Sequence, residues 1–168
     1  MKKYSLILTF ALFCVSIQGS AQATATATTT AEIIAPISIT NAANMNFGTL
    51  ATATTVGTVD LAVDGSRTST GGVTLSSTGT AAASASFTVA GDANATYSVT
   101  LPTSVTLSDG ATNTMTVDTF VSSPATTGTL DAGGSSTLDI GATLNVGADQ
   151  VAGVYTNATD LSVTVNYN

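Results

Sequence analysis

Histidine and tryptophan are absent from this sequence, and its 168 residues include one cysteine and three basic residues. The cysteine, Cys14, lies in an amino-terminal apolar run, so we expect no disulfide in the rest of the chain. Without histidine, neither a Ser-His-Asp nor a Cys-His catalytic arrangement can be built. Zinc sites made of imidazole and thiolate ligands are excluded because the chain has no histidine and only one cysteine.

The scarcity of positive charge excludes further classes of protein. Beyond residue 23, Arg67 is the one basic residue, against ten acidic residues. Binding of nucleic acid through its phosphates is therefore electrostatically unfavourable, as is attraction to an anionic membrane surface. Because charged residues make up only 8% of the chain, Thr, Ser and Asn must supply its polar surface. Thr in particular is favoured on the outward faces of strands.

Carboxylates are the remaining candidates for chemistry. A pair such as Asp60 and Asp64 could act as acid and base if both lay in one cleft. Asp64 and Asp109 each precede a glycine, however, and in that context Asp is ordinary turn chemistry. The sequence contains no Asp-x-Asp-x-Asp-Gly loop of the kind that binds calcium. Weak binding of calcium by other Asp residues is the remaining alternative. We predict a protein that is not an enzyme, with no catalytic, metal or cofactor-binding residues and no cofactor.

The amino terminus has the layout of a signal peptide. Two lysines precede an apolar run over residues 6–15, and Ala21 and Ala23 supply the small-x-small pattern that a signal peptidase cleaves. We predict that residues 1–23 are removed. The apolar run is shorter than the roughly 20 residues that a spanning helix needs. We therefore expect export to the periplasm, and onward to the cell surface or the medium, with no membrane span after cleavage.

Alternation of apolar and polar residues recurs along the rest of the chain, and helical spacing is rare. Turn-forming residues such as those at 64–65, 91–94 and 131–134 separate the alternating segments. This spacing predicts an all-β fold, which we interpret as a single immunoglobulin-like antiparallel β-sandwich over residues 35–168. The alternating segments are 33–40, 56–63, 72–76, 83–90, 96–101, 115–121, 136–146 and 161–167.

The last of these segments has the clearest pattern. Its apolar side chains point to one face and its polar ones to the other. Full burial of the apolar face would contribute about 6–12 kcal/mol, comparable with the net stability of a whole domain. The inward residues of this predicted core strand are Leu161, Val163, Val165 and Tyr167.

Several blocks of the chain together resemble a known family. These blocks are residues 35–40, 45–48, 70–73, 96–102, 141–147, 153–155 and 163–167. Together they resemble the bacterial domain of unknown function 4402, a family with no assigned activity, and the resemblance covers essentially the whole chain after residue 23.

A broader resemblance is to chaperone-usher pilin subunits, including the spore coat protein U group. Tyr167 is the penultimate residue of an alternating last strand, and Gly153-Val154-Tyr155 stands upstream, as in those proteins. The resemblance implies a sandwich that lacks one strand, which a periplasmic chaperone and then a neighbouring subunit supply. Residues 24–34 would be the donated extension. Its groove-facing residues would be Ala25, Ala27, Thr29, Ala31 and Ile33.

Two functions from different classes follow. The leading hypothesis is a non-catalytic, pilin-like structural protein of the cell surface that polymerises with itself by β-strand complementation. The alternative is a self-contained secreted sandwich that binds a glycan or another protein as an adhesin or binding module.

Overall fold

The computed structural model describes residues 22–157 and 161–168. Residues 33–168 make up one compact unit, and the chain up to Glu32 belongs to a separate unit. Residues 22–32 are all exposed, and none is in a helix or strand. The predicted signal peptide, including Ala21, lies outside the described residues except for its last two positions, and Ala23 is exposed.

The compact unit is built from β-strands, and the described residues contain no helix. The strands are β1 (Ser38–Ala43), β2 (Leu50–Leu61), β3 (Arg67–Leu75), β4 (Ala85–Ala90), β5 (Thr96–Thr100), β6 (Ser104–Ser108), β7 (Thr114–Ser123), β8 (Thr127–Thr129), β9 (Ser135–Val146) and β10 (Thr164–Tyr167).

The strands form two sheets, in which every pairing is antiparallel. The larger sheet has the order β1-β4-β9-β2-β3, with β7 also paired to β9 and β6 paired to β7. The smaller sheet has the order β10-β5-β8. The predicted all-β sandwich of antiparallel strands is therefore confirmed.

Strand β9 connects the two halves of the larger sheet. Its residues 135–140 pair with β4, and residues 142–146 pair with β2 on the same edge. Gly141 lies where the partner changes, and a Cβ atom there would overlap the carbonyl oxygen of Leu61. Because β2 approaches so closely, only glycine fits at this position.

Two apolar clusters make up the core. The first lies beneath β2, β3, β6, β7 and the second half of β9, and Val59 and Leu144 are among its buried residues. The second is enclosed by β1, β4 and the first half of β9 on one side and by the smaller sheet on the other, with Tyr97 and Leu138 fully buried. Among the described residues, no buried side-chain nitrogen or oxygen lacks a hydrogen-bond partner.

Some strand boundaries differ from the predicted segments. The segment predicted to begin at Gly72 belongs to β3, which begins at Arg67. Gly71 and Gly72 lie inside β3 and face β2 so closely that a Cβ atom on either would overlap the carbonyl of Val56 or Thr55. Strand β10 begins at Thr164 rather than at Leu161.

Candidate functional site: the free edge of the carboxy-terminal strand

Strand β10 is the outermost strand of the smaller sheet, and among the described strands it pairs with β5 alone. The main-chain nitrogen of Asn168 donates to the carbonyl of Thr96 at 3.2 Å. Hydrogen bonding alternates along an antiparallel ladder, so residues 164, 166 and 168 bond to β5. The N–H and C=O groups of Val165 and Tyr167 point the other way. We call the row that they form the free edge of β10.

A second strand edge lies beside this one. Strand β1 is the outermost strand of the larger sheet, and in the part of the chain that is described it pairs only with β4. Strands β1 and β10 approach each other across the sandwich. Val165 of β10 is a buried member of the second core cluster, and Ile39 of β1 packs against that cluster. This cluster is thus bounded on one side by the edges of two strands from different sheets.

The two edges run in opposite directions. Ser38, the first residue of β1, lies opposite Ala90, the last residue of β4. Tyr167, the last residue of β10, lies opposite Tyr97 near the start of β5. Both positions flank the turn from β4 to β5, so β1 begins where β10 ends.

The hydroxyl of Tyr167 joins these two ends. It accepts a hydrogen bond from the main-chain nitrogen of Asp92 at 2.6 Å and donates one to the carbonyl oxygen of Ala35 at 2.8 Å. Gly91 provides the space, because a Cβ atom there would overlap the Tyr167 hydroxyl. The chain three residues before β1 is therefore attached to the end of β10 through one side chain.

The four apolar residues predicted for the inward face of the last strand do share that face. Val165 is buried, with 8% of its surface exposed, and Leu161, Val163 and Tyr167 are half-buried against the second cluster. The polar residues between them, Ser162, Thr164 and Asn166, are exposed, as is Asn168.

The five residues predicted to act as the donated strand lie outside any strand and are exposed. Ile33 is the most exposed large apolar residue among those described, at 96%, and its neighbour Ile34 is 48% exposed. Strand β1 begins only at Ser38, so the residues before it have no pairing of their own in the described sheets.

The carboxylates that the sequence offered for chemistry have local structural partners. Asp64 accepts hydrogen bonds from the hydroxyl and the main-chain nitrogen of Ser66, and these bonds lower its pKa. Asp60 accepts a hydrogen bond from the Thr143 hydroxyl at 2.7 Å. No group of three or more potential metal ligands comes together in residues 22–157 and 161–168.

The hydrogen-bond partners of Tyr167 and the contribution of β1 to this edge were not predicted from the sequence. An aromatic hydroxyl in an alternating apolar strand signals a need for a polar partner. Gly91, in the turn between β4 and β5, has no side chain, and this leaves the space that the hydroxyl occupies. Neither signal identifies Ala35, because the two residues are 132 positions apart in the chain.

No described helix is long and apolar enough to cross a membrane. Comparison with curated proteins finds no match. Comparison with solved structures finds none either. The sequence model of one family, described as a domain of unknown function, matches residues 37–167, a range that includes all ten described strands, β1 to β10. The chain therefore belongs to the family of domain of unknown function DUF4402.

Proposed function

We propose that this protein is an exported, non-catalytic structural subunit of the cell surface that assembles by β-strand complementation. In this proposal the free edge of β10 accepts an extended strand, and residues 24–34 of a second copy supply it. One observation carries the proposal: two strand edges, β1 and β10, border the same apolar cluster. An exposed strand edge is a template for pairing with another chain.

The chemistry of the donor and that of the edge match. Val165 and Tyr167 offer main-chain donors and acceptors, which any extended segment satisfies. Ile33 supplies the large apolar side chain, and its burial would contribute about 1.5–3 kcal/mol. The other groove-facing residues of the donor are alanine and threonine. We therefore expect Ile33 and the main-chain bonds to provide most of the affinity.

The resemblance to chaperone-usher pilins supports the same proposal. Those subunits share the alternating last strand and the penultimate tyrosine, and they keep a strand edge covered by a periplasmic chaperone before assembly. We extend this to the present chain as a proposal: a chaperone would cover the free edge of β10 in the periplasm, after removal of residues 1–23.

Size measurement of the exported and purified chain tests the proposal. Mass spectrometry first establishes the amino terminus, which we expect at Thr24. Light scattering should then detect oligomers whose proportion increases with protein concentration. Ile33→Asp should shift the population towards monomer, because a charge at this position would have to enter the apolar groove. Val154→Asp is the matched control, since Val154 is 80% exposed and lies outside the proposed interface.

Two results would contradict assembly by strand exchange. One is a monomer at every concentration in which residues 24–34 are paired with their own sheet. The other is an oligomer that Ile33→Asp and Val154→Asp weaken equally. A synthetic peptide of residues 24–34 provides an independent test. It should bind the free edge of β10 in the monomeric Ile33→Asp chain and so block the association of that chain with unmodified copies.

A different observation favours the alternative function, a glycan-binding module. The outer face of β3, β2, β9, β7 and β6 has polar side chains in two registered rows, and two shallow depressions of about 390 and 530 Å³ lie along it. The rows are Thr70, Thr58, Asn145, Thr116 and Thr106, and next to them Thr68, Asp60, Thr143, Asp118 and Ser104.

A glycan array probed with the monomeric Ile33→Asp chain tests this alternative. Hydroxyl and carboxylate groups at regular spacing can hydrogen-bond to sugar hydroxyls. Binding should then be lost in a Thr143→Val variant and kept in Thr40→Val, whose side chain is exposed on β1. Absence of binding to any glycan would contradict the glycan-binding form of the alternative.

A further inference from the structure

Tyr167 attaches the start of the compact unit to the end of β10. Its hydroxyl uses both of its hydrogen-bonding functions, one towards the nitrogen of Asp92 and one towards the carbonyl of Ala35. Its ring packs against the second cluster. Any side chain larger than that of glycine at position 91 would overlap the Tyr167 hydroxyl. This geometry fixes the position of Ala35, the point from which the amino-terminal residues leave the fold.

The direction of the chain at Ala35 determines how residues 24–34 can reach a strand edge. Because β1 begins where β10 ends, the chain's own residues 24–34 approach Ala35 from upstream. To lie along their own β10 they would have to run parallel to it. The chain would then have to reverse direction within residues 35–37 in order to enter β1. Ala35 also precedes Pro36, which restricts Ala35 to extended conformations.

We propose that Tyr167 is a positioning residue that keeps the amino-terminal segment from pairing with its own β10 and so reserves it for a second copy. The inference rests on the proposed function. The carbonyl of Ala35, which accepts the hydrogen bond from Tyr167, lies within residues 35–37, where the chain would have to reverse direction. While that bond is formed, residues 22–37 contain no strand. Loss of the hydroxyl frees Ala35, so the segment can fold back onto its own molecule.

Tyr167→Phe tests this role, because it keeps the ring and removes both hydrogen bonds. We expect amide exchange in residues 24–34 of the monomeric variant to slow by about tenfold, as pairing with its own strand would require. The proportion of oligomer should decrease in parallel. Tyr155→Phe is the matched control: it removes a hydroxyl that bonds to Gln150 and to the carbonyl of Val151, away from the free edge.

A second variant reaches the same contact from the other side. Gly91→Ala places a methyl group where the Tyr167 hydroxyl lies and should reproduce the effect of Tyr167→Phe on exchange and on oligomer proportion. Urea unfolding of both variants identifies any general loss of stability, which would increase exchange throughout the sheets rather than slow it in residues 24–34.

The outcomes separate this inference from the proposed function. If the unmodified chain assembles and Tyr167→Phe changes neither exchange nor assembly, the positioning role is overturned and strand complementation stands. If the unmodified chain never assembles but Tyr167→Phe slows exchange in residues 24–34, the positioning role stands and strand complementation fails. Increased assembly of Tyr167→Phe would also overturn the inference.

Discussion

Arg67, the one basic residue beyond position 23, joins the segment before β2 to the segment after β3. Its guanidinium donates to the carbonyl oxygens of Phe47 and Thr49 and to that of Ser76, at 2.5–3.1 Å. These carbonyls belong to the segment before β2 and the segment after β3. A planar group with several donors suits three acceptors that come from different directions.

Substitution of Arg67 measures this contribution. Arg67→Met keeps much of the side-chain volume and leaves three carbonyls without their charged donor, so we expect the free energy of unfolding to decrease by about 1–3 kcal/mol. Arg67→Lys should have an intermediate effect, since an ammonium group cannot reach all three acceptors. Urea denaturation measures both, and equal stability of the three chains would show that the guanidinium contributes nothing.

Asp109 illustrates how a turn residue makes stability depend on pH. Its carboxylate accepts hydrogen bonds from the Asn113 side chain at 2.6 Å and from the main-chain nitrogen of Ala111 at 2.8 Å, and these bonds lower its pKa. The lowered pKa means that the ionised form stabilises the fold. That stabilisation is complete above the ordinary aspartate pKa of about 3.9 and is lost as the pH falls below it.

We therefore expect Asp109→Ala to lower the melting temperature at pH 7 and to have a smaller effect at pH 3. Thermal unfolding followed by circular dichroism at both values measures the difference. Asp149→Asn, a change of charge at an exposed loop position, serves as the control. If Asp109→Ala lowered the melting temperature by the same amount at pH 7 and at pH 3, stabilisation by the ionised carboxylate of Asp109 would be contradicted.

At the scale of the elements, β9 organises the fold because both core clusters include its residues. Val146 and Leu144 pack in the first cluster, and Leu138 and Ile140 pack in the second. The change of partner at Gly141 makes this possible, since β2 ends against that glycine. A side chain there would push β2 away from β9 and disturb both clusters.

Gly141→Ala should accordingly destabilise the domain by about 1–3 kcal/mol through overpacking. Gly133→Ala is the matched control, because a Cβ atom at that turn position meets only the Asp131 carboxylate, at 3.3 Å. Chemical denaturation of the two variants gives the comparison. If Gly141→Ala were no less stable than Gly133→Ala, the close approach of β2 would not be a constraint.

The strands that the sequence predicts well are those with a buried face and clear turn residues on both sides. Strand β4 and strand β5 match their predicted segments closely, and β9 differs by one residue. Strands β6 and β8 were missed: β8 has only three residues, and Thr-Gly-Thr shows no apolar alternation because Gly128 lies against the ring of Tyr97. Close packing against an aromatic ring leaves no local signal in the sequence.

The beginning of β1 shows why the candidate site was only partly predictable. Alternation starts at Ile33, yet pairing with β4 starts at Ser38, because β4 ends at Ala90 and offers no further partner. The inward face of the last strand was predictable from its period. The position of the free edge was not, since it depends on which strands flank β10 in space.

In the proposed assembly, each whole molecule is both acceptor and donor of a strand. The acceptor is the free edge of β10 beside β1, and the donor is the exposed stretch of residues 24–34 of another copy. With one basic residue against ten acidic ones beyond position 23, copies repel each other at long range. Contact therefore has to come from short-range pairing, and we expect added salt to increase the proportion of oligomer.

Cross-linking between copies is a direct test of strand complementation, because residues 24–168 contain no cysteine and any disulfide must come from introduced residues. One preparation carries Ile33→Cys and the other Val163→Cys, and the two are mixed as monomers and oxidised gently. We predict a disulfide between the two different chains, identified by mass spectrometry, since residue 33 of one copy should lie within disulfide range of residue 163, which directly precedes β10 in the other. A mixture with Val154→Cys in place of Ile33→Cys should give little of the mixed product. Equal cross-linking of Val163→Cys to both partners, or none to Ile33→Cys, would contradict assembly through the free edge of β10.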